Sequence, residues 1–169
     1  MAIFQRPRPL PAGPGQESVW DYPRPPRIEA TSRRLQIRFA GRWIADTRRG
    51  LRVLETSHPP TYYLPIEDFI DGSLQPVPGR KSFCEWKGQA TYLNIVIGSA
   101  TAHGAAWTYP KPTPGSGMKP GFVAVYAAEM HECRVDGERV TPQPGGFYGG
   151  WITSHVVGPF KGTPGSMGW

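Results

Sequence analysis

A thiol and an amine lie close together near the middle of the chain, at Cys84 and Lys87, and Gly88 follows them. A cysteine becomes a nucleophile when nearby positive charge lowers the pKa of its thiol, and Lys87 can supply that charge. Gly88 permits a turn that would present the Lys87 ammonium to a cavity, where it could bind an anion or form a Schiff base. The alternatives are a small buried thiol that only packs and a solvated surface lysine. The pair therefore provides a candidate nucleophile, Cys84, and a candidate ligand-binding cation, Lys87.

Aromatic residues flank this pair on both sides in the sequence. Trp86 lies between the thiol and the amine, and Trp107 and Tyr109 follow about 20 residues later, just before Pro110. Such rings stack on planar ligands or surround cations. The alternative is ordinary core packing, because large aromatic side chains dominate core burial. We expect Trp86, Trp107 and Tyr109 to line a pocket, which requires residues 82–112 to fold back on themselves.

A carboxylate, an imidazole and phenol groups precede this stretch, and a guanidinium lies just before it. Glu55 and His58 stand at a predicted strand end and in the loop after it, with Tyr62 and Tyr63 in the same loop, where binding residues concentrate. Of the two phenols we select Tyr62 for the site. Glu55 and His58 could act as an acid/base pair, or could be an ordinary strand-end carboxylate and a solvated histidine. Arg80 could receive a phosphate, or could belong to a flexible loop.

Metal and nucleotide motifs are missing from the sequence. Cys84 and Cys133 do not form a Cys-x-x-Cys pair, and the four histidines do not complete a zinc-finger spacing. Neither the GxxxxGK[ST] phosphate-binding motif nor the GxGxxG dinucleotide motif occurs. We therefore predict no metal site and no cofactor.

The charge balance favours small ligands over polymers. The formal net charge is +6, yet the basic residues are scattered, whereas nucleic-acid surfaces show dense basic patches with interleaved aromatics. We expect a small polar or anionic, phosphate-bearing ligand and no nucleic acid. No secretory signal and no membrane-length apolar run is evident, so we expect a cytoplasmic protein without a membrane partner.

Short strands are the elements that must position these residues. Alternating apolar residues predict strands at 35–39, 51–56 and 90–97, and Ala40-Gly41 and Asp136-Gly137 predict two hairpin turns. The apolar run 121–126 predicts a central strand buried on both faces. Pro65, the apolar spacing after it and Gly72 predict one short helix, and 75–80 resembles a loop.

The two ends of the chain are rich in proline and glycine. We predict a proline-rich extended arm at 1–26, a β core domain at 27–140 and a Gly/Pro/aromatic wrapping segment at 141–169. Trp20, Trp151 and Trp169 would be costly to leave in water, which makes a homo-oligomer plausible. Whether the ends pack on their own domain or on a partner stays open at this point.

Several runs within 42–126 resemble the domain-of-unknown-function 427 (DUF427) family, in that family's order. They are Ile44-Ala45-Asp46-Thr47, Leu54-Glu55-Thr56, Pro60-Thr61-Tyr62-Tyr63, Cys84-Glu85-Trp86-Lys87-Gly88, Ala106-Trp107-Thr108-Tyr109-Pro110 and Gly121-Phe122-Val123-Ala124. The resemblance implies a mainly β fold similar to the β-tent folds, which include the ligand-binding domain of cereblon. Families of that fold often carry zinc through two Cys-x-x-Cys pairs, which this chain lacks.

The family is sometimes labelled a nucleotidyltransferase, a reaction that usually needs paired carboxylates to hold magnesium. No Asp-x-Asp pair follows Gly98-Ser99, and Asp68 and Asp71 on the predicted helix are a poor metal platform. The resemblance therefore implies a fold more than a function.

These observations predict a mainly β, single-domain, β-tent-like sheet assembly with one short helix and extended Pro/Gly-rich terminal arms. The first functional hypothesis is a small-molecule pocket protein of unknown reaction, with or without enzymatic turnover. The second is a non-enzymatic structural or interaction module whose aromatic ends mediate self-assembly or partner binding. Convergence of Lys87 and Glu55 in one indole-lined cavity would favour the first hypothesis, and their divergence would favour the second.

Overall fold

The structure is a computed structural model that describes residues 6–169, so residues 1–5 of the predicted proline-rich arm lie outside the described residues. The described chain is mainly β, as predicted, and its strands pair antiparallel except for the parallel pair formed by the first and last strands. The strands are β1 Glu17–Ser18, β2 Arg27–Thr31, β3 Leu35–Phe39, β4 Arg42–Thr47, β5 Gly50–Leu54, β6 Thr61–Pro65, β7 Leu74–Cys84, β8 Gly88–Ile97, β9 Ala100–Thr108, β10 Phe122–Val125, β11 Glu132–Val135, β12 Glu138–Arg139, β13 Thr141–Pro142, β14 Trp151–Ile152 and β15 Val156–Val157.

Two sheets enclose the main hydrophobic core. A seven-stranded sheet has the order β2-β5-β6-β10-β9-β8-β7, and a four-stranded sheet has the order β12-β11-β3-β4. Buried residues from both sheets pack together, among them Ile37, Leu64 and Val123. Because side chains alternate along a strand, Val123 and Val125 of β10 enter this core while Ala124 between them packs on the opposite face. The prediction of a central strand buried on both faces is confirmed.

Both predicted hairpins occur, and their turns explain them. Ala40 and Gly41 join β3 to β4 with φ values of 50° and 76°, and Asp136 and Gly137 join β11 to β12 with 50° and 82°. Two successive residues with positive φ form the two-residue turn whose twist matches antiparallel strands, and Asx residues and glycine adopt it most readily. Ala40 is the one residue of the four that does not belong to these types.

The predicted short helix is wrong. In its place β6 runs through Pro65, which pairs with Phe122 of β10, and only a 3₁₀ turn follows at Ile66–Asp68. Ile70 then donates its backbone N–H to the Ile44 carbonyl at 2.8 Å, which draws the chain onto β4 before a second turn can form. The other 3₁₀ turns of residues 6–169 are Val19–Asp21 and Ala127–Glu129. Within this range no helix has the length and apolar character to cross a membrane.

The predicted loop at 75–80 is also wrong, because these residues belong to β7. The pairing of β7 with β8 shifts register between Pro76 and Lys81. β7 is the last strand of its sheet, so its prolines need no partner on the outer side. The prolines led to the loop prediction, but an edge position accommodates a strand that contains them.

The two ends of the chain pack on each other and on the body. The expected arm contains β1, which pairs in parallel with β15, so part of it does belong to a sheet. Trp20 is buried, donates its indole N–H to the Pro159 carbonyl at 2.9 Å, and lies edge-on to Trp169 with 5.7 Å between ring centroids. Trp151 is buried in the main core. The burial of these two indoles within the chain removes the reason for expecting a second copy to cover them.

This packing predicts that Trp20 stabilises the fold of the chain. Replacing Trp20 with alanine should lower the free energy of unfolding by about 3 kcal/mol or more, since it removes a buried indole and leaves a cavity. Chemical denaturation would measure the change. Leu10→Ala is the matched control because Leu10, in the same arm, is 56% exposed, and its loss should cost less than about 0.5 kcal/mol. Equal stability of the two variants would contradict this account of the arm.

Candidate functional site

A groove of two adjoining chambers lies on the face of the seven-stranded sheet that is turned away from the main core. The inner chamber, of about 300 Å³, is lined by Val53, Glu55, His58, Pro59, Thr61, Tyr63, Ser82, Cys84, Lys87, Ala90, Tyr92, Trp107, Tyr109, Tyr126, Gln143, Phe147, Tyr148 and Gly149. The outer chamber, of about 340 Å³, is lined by Arg80, Tyr92, His103, Gly104, Tyr126, Ala127, Ala128, Glu129, Pro142, Gln143, Gly146, Phe147, Tyr148, Gly149 and Gly150. The chambers share Tyr92, Tyr126, Gln143 and the run Phe147-Tyr148-Gly149, so they are parts of one surface feature.

Aromatic side chains that alternate to one face of the seven-stranded sheet form the floor of the inner chamber. Tyr63 of β6 and Trp107 of β9 project to this face, and the Trp107 indole N–H donates to the Tyr63 hydroxyl oxygen at 3.0 Å. The Tyr63 and Tyr109 ring centroids lie 6.4 Å apart. Burial raises the pKa of both phenols above the usual value. Both rings therefore keep their hydroxyl protons at neutral pH and can donate hydrogen bonds.

The turn between β7 and β8 carries the thiol and the amine. The Lys87 backbone N–H approaches the Cys84 sulfur at 3.4 Å, and the Lys87 carbonyl accepts from the Thr113 backbone N–H at 3.0 Å. The second bond ties the turn to the chain that follows Tyr109. The Lys87 ammonium lies 5.9 Å from the centroid of the Tyr109 ring. Residues 82–112 thus fold back on themselves and place a thiol, an amine and aromatic rings on one chamber.

Glu55 and His58 also line the inner chamber, where they form a close pair. The His58 Nε2 and Glu55 Oε2 atoms are 3.3 Å apart. The hydrogen bond from His58 lowers the pKa of the Glu55 carboxyl, and the positive charges of Lys87 and Arg24 lower it further. Glu55 is therefore ionised at neutral pH. One chamber holds a carboxylate and an ammonium whose charges influence each other.

Arg80 is positioned in the outer chamber by an aromatic ring and a glycine. Its guanidinium carbon lies 4.6 Å from the centroid of the Tyr92 ring. The same guanidinium occupies the space where a Cβ on Gly104 would stand, so a larger residue there would displace it. Neither Arg80 nor Lys87 forms an ion pair within residues 6–169. Both chambers therefore contain a cation with no carboxylate partner in that part of the chain.

The C-terminal segment forms the wall shared by both chambers. Gly149 lies directly against the Trp107 indole, where an added Cβ would overlap the ring. Tyr148 packs edge-on against His58, with 4.7 Å between ring centroids, and Phe147 is 75% exposed at the rim. The groove is thus completed by residues far along the chain from those that form its floor.

Seven of the nine residues predicted for the site line the groove. Glu55, His58, Cys84, Lys87, Trp107 and Tyr109 lie on the inner chamber and Arg80 on the outer. Tyr62 does not, because it is part of β6 rather than a loop and its side chain packs in the main core against Trp151. Trp86 is half-buried in the turn after β7 and lines neither chamber.

Sequence reasoning missed the aromatic residues that complete the walls. The sequence prediction placed Tyr62 and Tyr63 in one loop and selected only Tyr62 for the site, whereas a strand at 61–65 puts the two side chains on opposite faces. The sequence pattern predicted Tyr92 only as a strand residue and Tyr126 only as the end of a strand. Gln143 and the Phe147-Tyr148-Gly149 run belong to the predicted wrapping segment. Its aromatic and glycine residues indicated packing, but the sequence did not indicate which surface of the domain the segment covers.

Carboxylate, imidazole and thiol groups do not gather into a metal site anywhere in the part of the chain that the structure describes. No three His, Cys, Asp or Glu side chains in residues 6–169 converge in a way that would hold a metal ion.

The sequence model of a family described as a domain of unknown function, DUF427, matches residues 27–136 of the chain. No curated protein matches the chain. The family match contains the floor of the groove and both unpaired cations. It ends before Gln143 and the Phe147-Tyr148-Gly149 run, so the shared wall lies outside the matched region.

The two cysteines should differ sharply in reactivity. Cys84 is partly exposed on the inner chamber, whereas Cys133 is buried in the main core, and burial raises the pKa of its thiol. Brief treatment of the folded protein with iodoacetamide should alkylate Cys84 and leave Cys133 unmodified, as measured by peptide mass spectrometry. Unfolding in denaturant should make both cysteines react. Alkylation of Cys133 first would contradict the placement of these thiols.

Proposed function

We propose that this chain, which belongs to the DUF427 family, binds a small molecule that carries a planar or apolar part and an anionic, phosphate-bearing group. The observation that carries the proposal is the pair of unpaired cations, Lys87 and Arg80, on one aromatic-lined groove. Arg80 is exposed and Lys87 is half-buried, so water solvates both charges and neither is engaged by a carboxylate of the described chain. Both groups are therefore free to form charge-assisted hydrogen bonds with a ligand that carries a negative group.

The aromatic walls suit the planar part of such a ligand. Trp107 and Tyr126 have ring centroids 4.6 Å apart, and Tyr92 and Tyr126 stand between the two chambers. Phe147 is largely exposed at the shared rim, so a ligand lying across it would cover apolar surface. Burial of such surface contributes about 25 cal/mol per Å². The rings therefore provide binding energy, and the polar groups fix orientation.

The positions of the charged groups in the groove determine how the proposed ligand is oriented. The Arg80 guanidinium is already held between Tyr92 and Gly104, so little side-chain freedom is lost when it binds an anion. A guanidinium also matches the two oxygens of a carboxylate or phosphate. Glu55 repels an anion but accepts a hydrogen bond from a ligand hydroxyl or amine. A ligand would then orient its negative group toward Arg80 or Lys87 and a donor group toward Glu55.

The inner chamber also contains groups that a reaction would use. The Cys84 thiol could attack an electrophilic carbon of a bound ligand, with its proton passing to a base such as Glu55. We limit the proposal to binding, with Cys84 and Glu55 as the residues to change first if turnover of a bound ligand is found.

The alternative, an interaction module with aromatic ends, loses its main support. Its strongest argument was the number of large aromatic residues in the two ends, and Trp20 and Trp151 are buried within the chain. The ends cover their own sheets, and one of them forms a wall of the groove.

A binding screen with matched variants tests the proposal. The protein would be screened by thermal shift against nucleotides, sugar phosphates and other small anionic metabolites, and dissociation constants of hits would be measured by calorimetry. Lys87→Gln or Arg80→Gln should weaken a hit by about 10-fold or more, because a hydrogen bond to a charged group contributes about 1.5–3 kcal/mol.

Lys81→Gln is the control for this screen. Lys81 is exposed on β7 next to Arg80 but lines neither chamber, so its replacement removes the same charge without changing the groove. Its dissociation constants should match those of the wild type. If every hit binds the Lys87 and Arg80 variants as tightly as the wild type, the proposed site is wrong.

A further inference from the structure

We infer that Gln143 donates a hydrogen bond to His58 Nδ1, which keeps this nitrogen unprotonated and its lone pair occupied, and leaves the Glu55 carboxylate as the acceptor that the Glu55–His58 pair offers to a ligand. Gln143 lies beyond the family match and was not among the residues predicted from the sequence. Its side chain is almost fully buried at the wall shared by both chambers, where it contacts three different parts of the chain.

Two backbone groups determine which way the Gln143 amide points. The Gly150 backbone N–H donates to Gln143 Oε1 at 3.0 Å, and Gln143 Nε2 donates to the Lys161 carbonyl at 2.8 Å. A backbone N–H can only donate and a carbonyl can only accept. Rotating the amide by 180° would place two donors together at Gly150 and two acceptors together at Lys161. The amide orientation is therefore fixed without reference to His58.

This orientation sets the protonation of the His58 ring. The Gln143 Nε2 atom, a donor, lies 3.0 Å from His58 Nδ1. A favourable contact requires Nδ1 to accept, and a proton on Nδ1 would set two donors face to face. The ring proton must then be on Nε2, which lies 3.3 Å from the Glu55 carboxylate. His58 donates to Glu55 and accepts from Gln143, so both of its nitrogens are occupied.

An aromatic ring and several cations surround the Glu55–His58 pair. Tyr148 packs edge-on against the ring, and the Lys161 ammonium lies 5.7 Å from the Tyr148 ring centroid on the same segment. Lys87 and Arg24 are close enough to lower the pKa of Glu55, so the charged groups around the pair are cations that favour the ionised carboxylate.

Glu55 and His58 therefore have different roles. His58 is a positioning residue that holds one oxygen of the Glu55 carboxylate, and Gln143 positions His58 in turn. His58 holds the Oε2 atom, and the Oε1 atom of the same carboxylate can still accept a hydrogen bond in the inner chamber. That Oε1 meets a ligand rests on the proposed function, but the protonation of His58 is a property of the protein alone.

Nitrogen NMR of the ligand-free protein at neutral pH tests the inference directly. Long-range ¹H–¹⁵N spectra of the histidine rings distinguish a nitrogen that carries a proton from one that does not, and loss of one ring's signals in a His58→Asn variant assigns His58. We expect Nδ1 without a proton and Nε2 with one. A proton on Nδ1 in the wild type overturns the inference, whatever the ligand screen finds.

Gln143→Glu supplies a second measurement with a predicted direction. The carboxylate replaces the donor that faces His58, so Nδ1 should gain a proton and both ring nitrogens should report as protonated. Gln89→Glu is the control, because Gln89 is exposed on β8 and lines neither chamber. It should leave the His58 signals unchanged. If Gln143→Glu remains folded by its amide spectrum and His58 keeps the wild-type pattern, Gln143 does not control the ring.

Discussion

The seven-stranded sheet has two apolar faces, and this constraint shapes the rest of the molecule. One face is covered by the four-stranded sheet, which encloses the main core. The other presents Val53, Tyr63, Trp107 and Ala124 and needs cover as well. In α+β proteins helices cover such a face, but the only helical elements in residues 6–169 are 3₁₀ turns. The chain covers the second face with irregular segments, and the part left uncovered is the groove.

The cover is attached through polar bonds as well as by apolar contact, which links folding to the site. Gln143 joins the loop after β5 to two points of the C-terminal segment, and Gly149 and Gly150 allow that segment to approach Trp107 and Pro59 without side-chain overlap. A buried amide that satisfies three partners is expensive to disturb. The contacts that hold the wall in place are therefore the same contacts that orient His58.

Local patterns in the sequence predicted the local parts of this structure. The Asp136-Gly137 turn follows from the positive φ that Asx residues and glycine adopt readily, and Gly41 provides the same freedom in the Ala40-Gly41 turn. Selecting Tyr62 instead of Tyr63 for the site was wrong. The alternation of side chains along a strand assigns the two residues to opposite faces but does not show which face meets the core. The edge position that allows Pro76 in β7 is a property of the whole sheet. Contacts between residues 143–150 and the strands before them depend on the tertiary fold, so the wall could not be placed from sequence.

The meaning of the excess positive charge likewise depends on position rather than amount. Several arginines neutralise carboxylates on the strands: Arg34 binds Asp46 at 2.6 Å, and Arg52 binds Glu17 and Glu29 at 2.8 and 2.6 Å. Such pairs orient side chains, and exposed ones contribute little to stability. The cations of the groove differ because Arg80 and Lys87 have no carboxylate partner within residues 6–169 and stand against aromatic rings. The net charge would still be +6 if Arg80 and Lys87 were paired with carboxylates. The placement of these two cations, and not the net charge, therefore favours an anionic ligand.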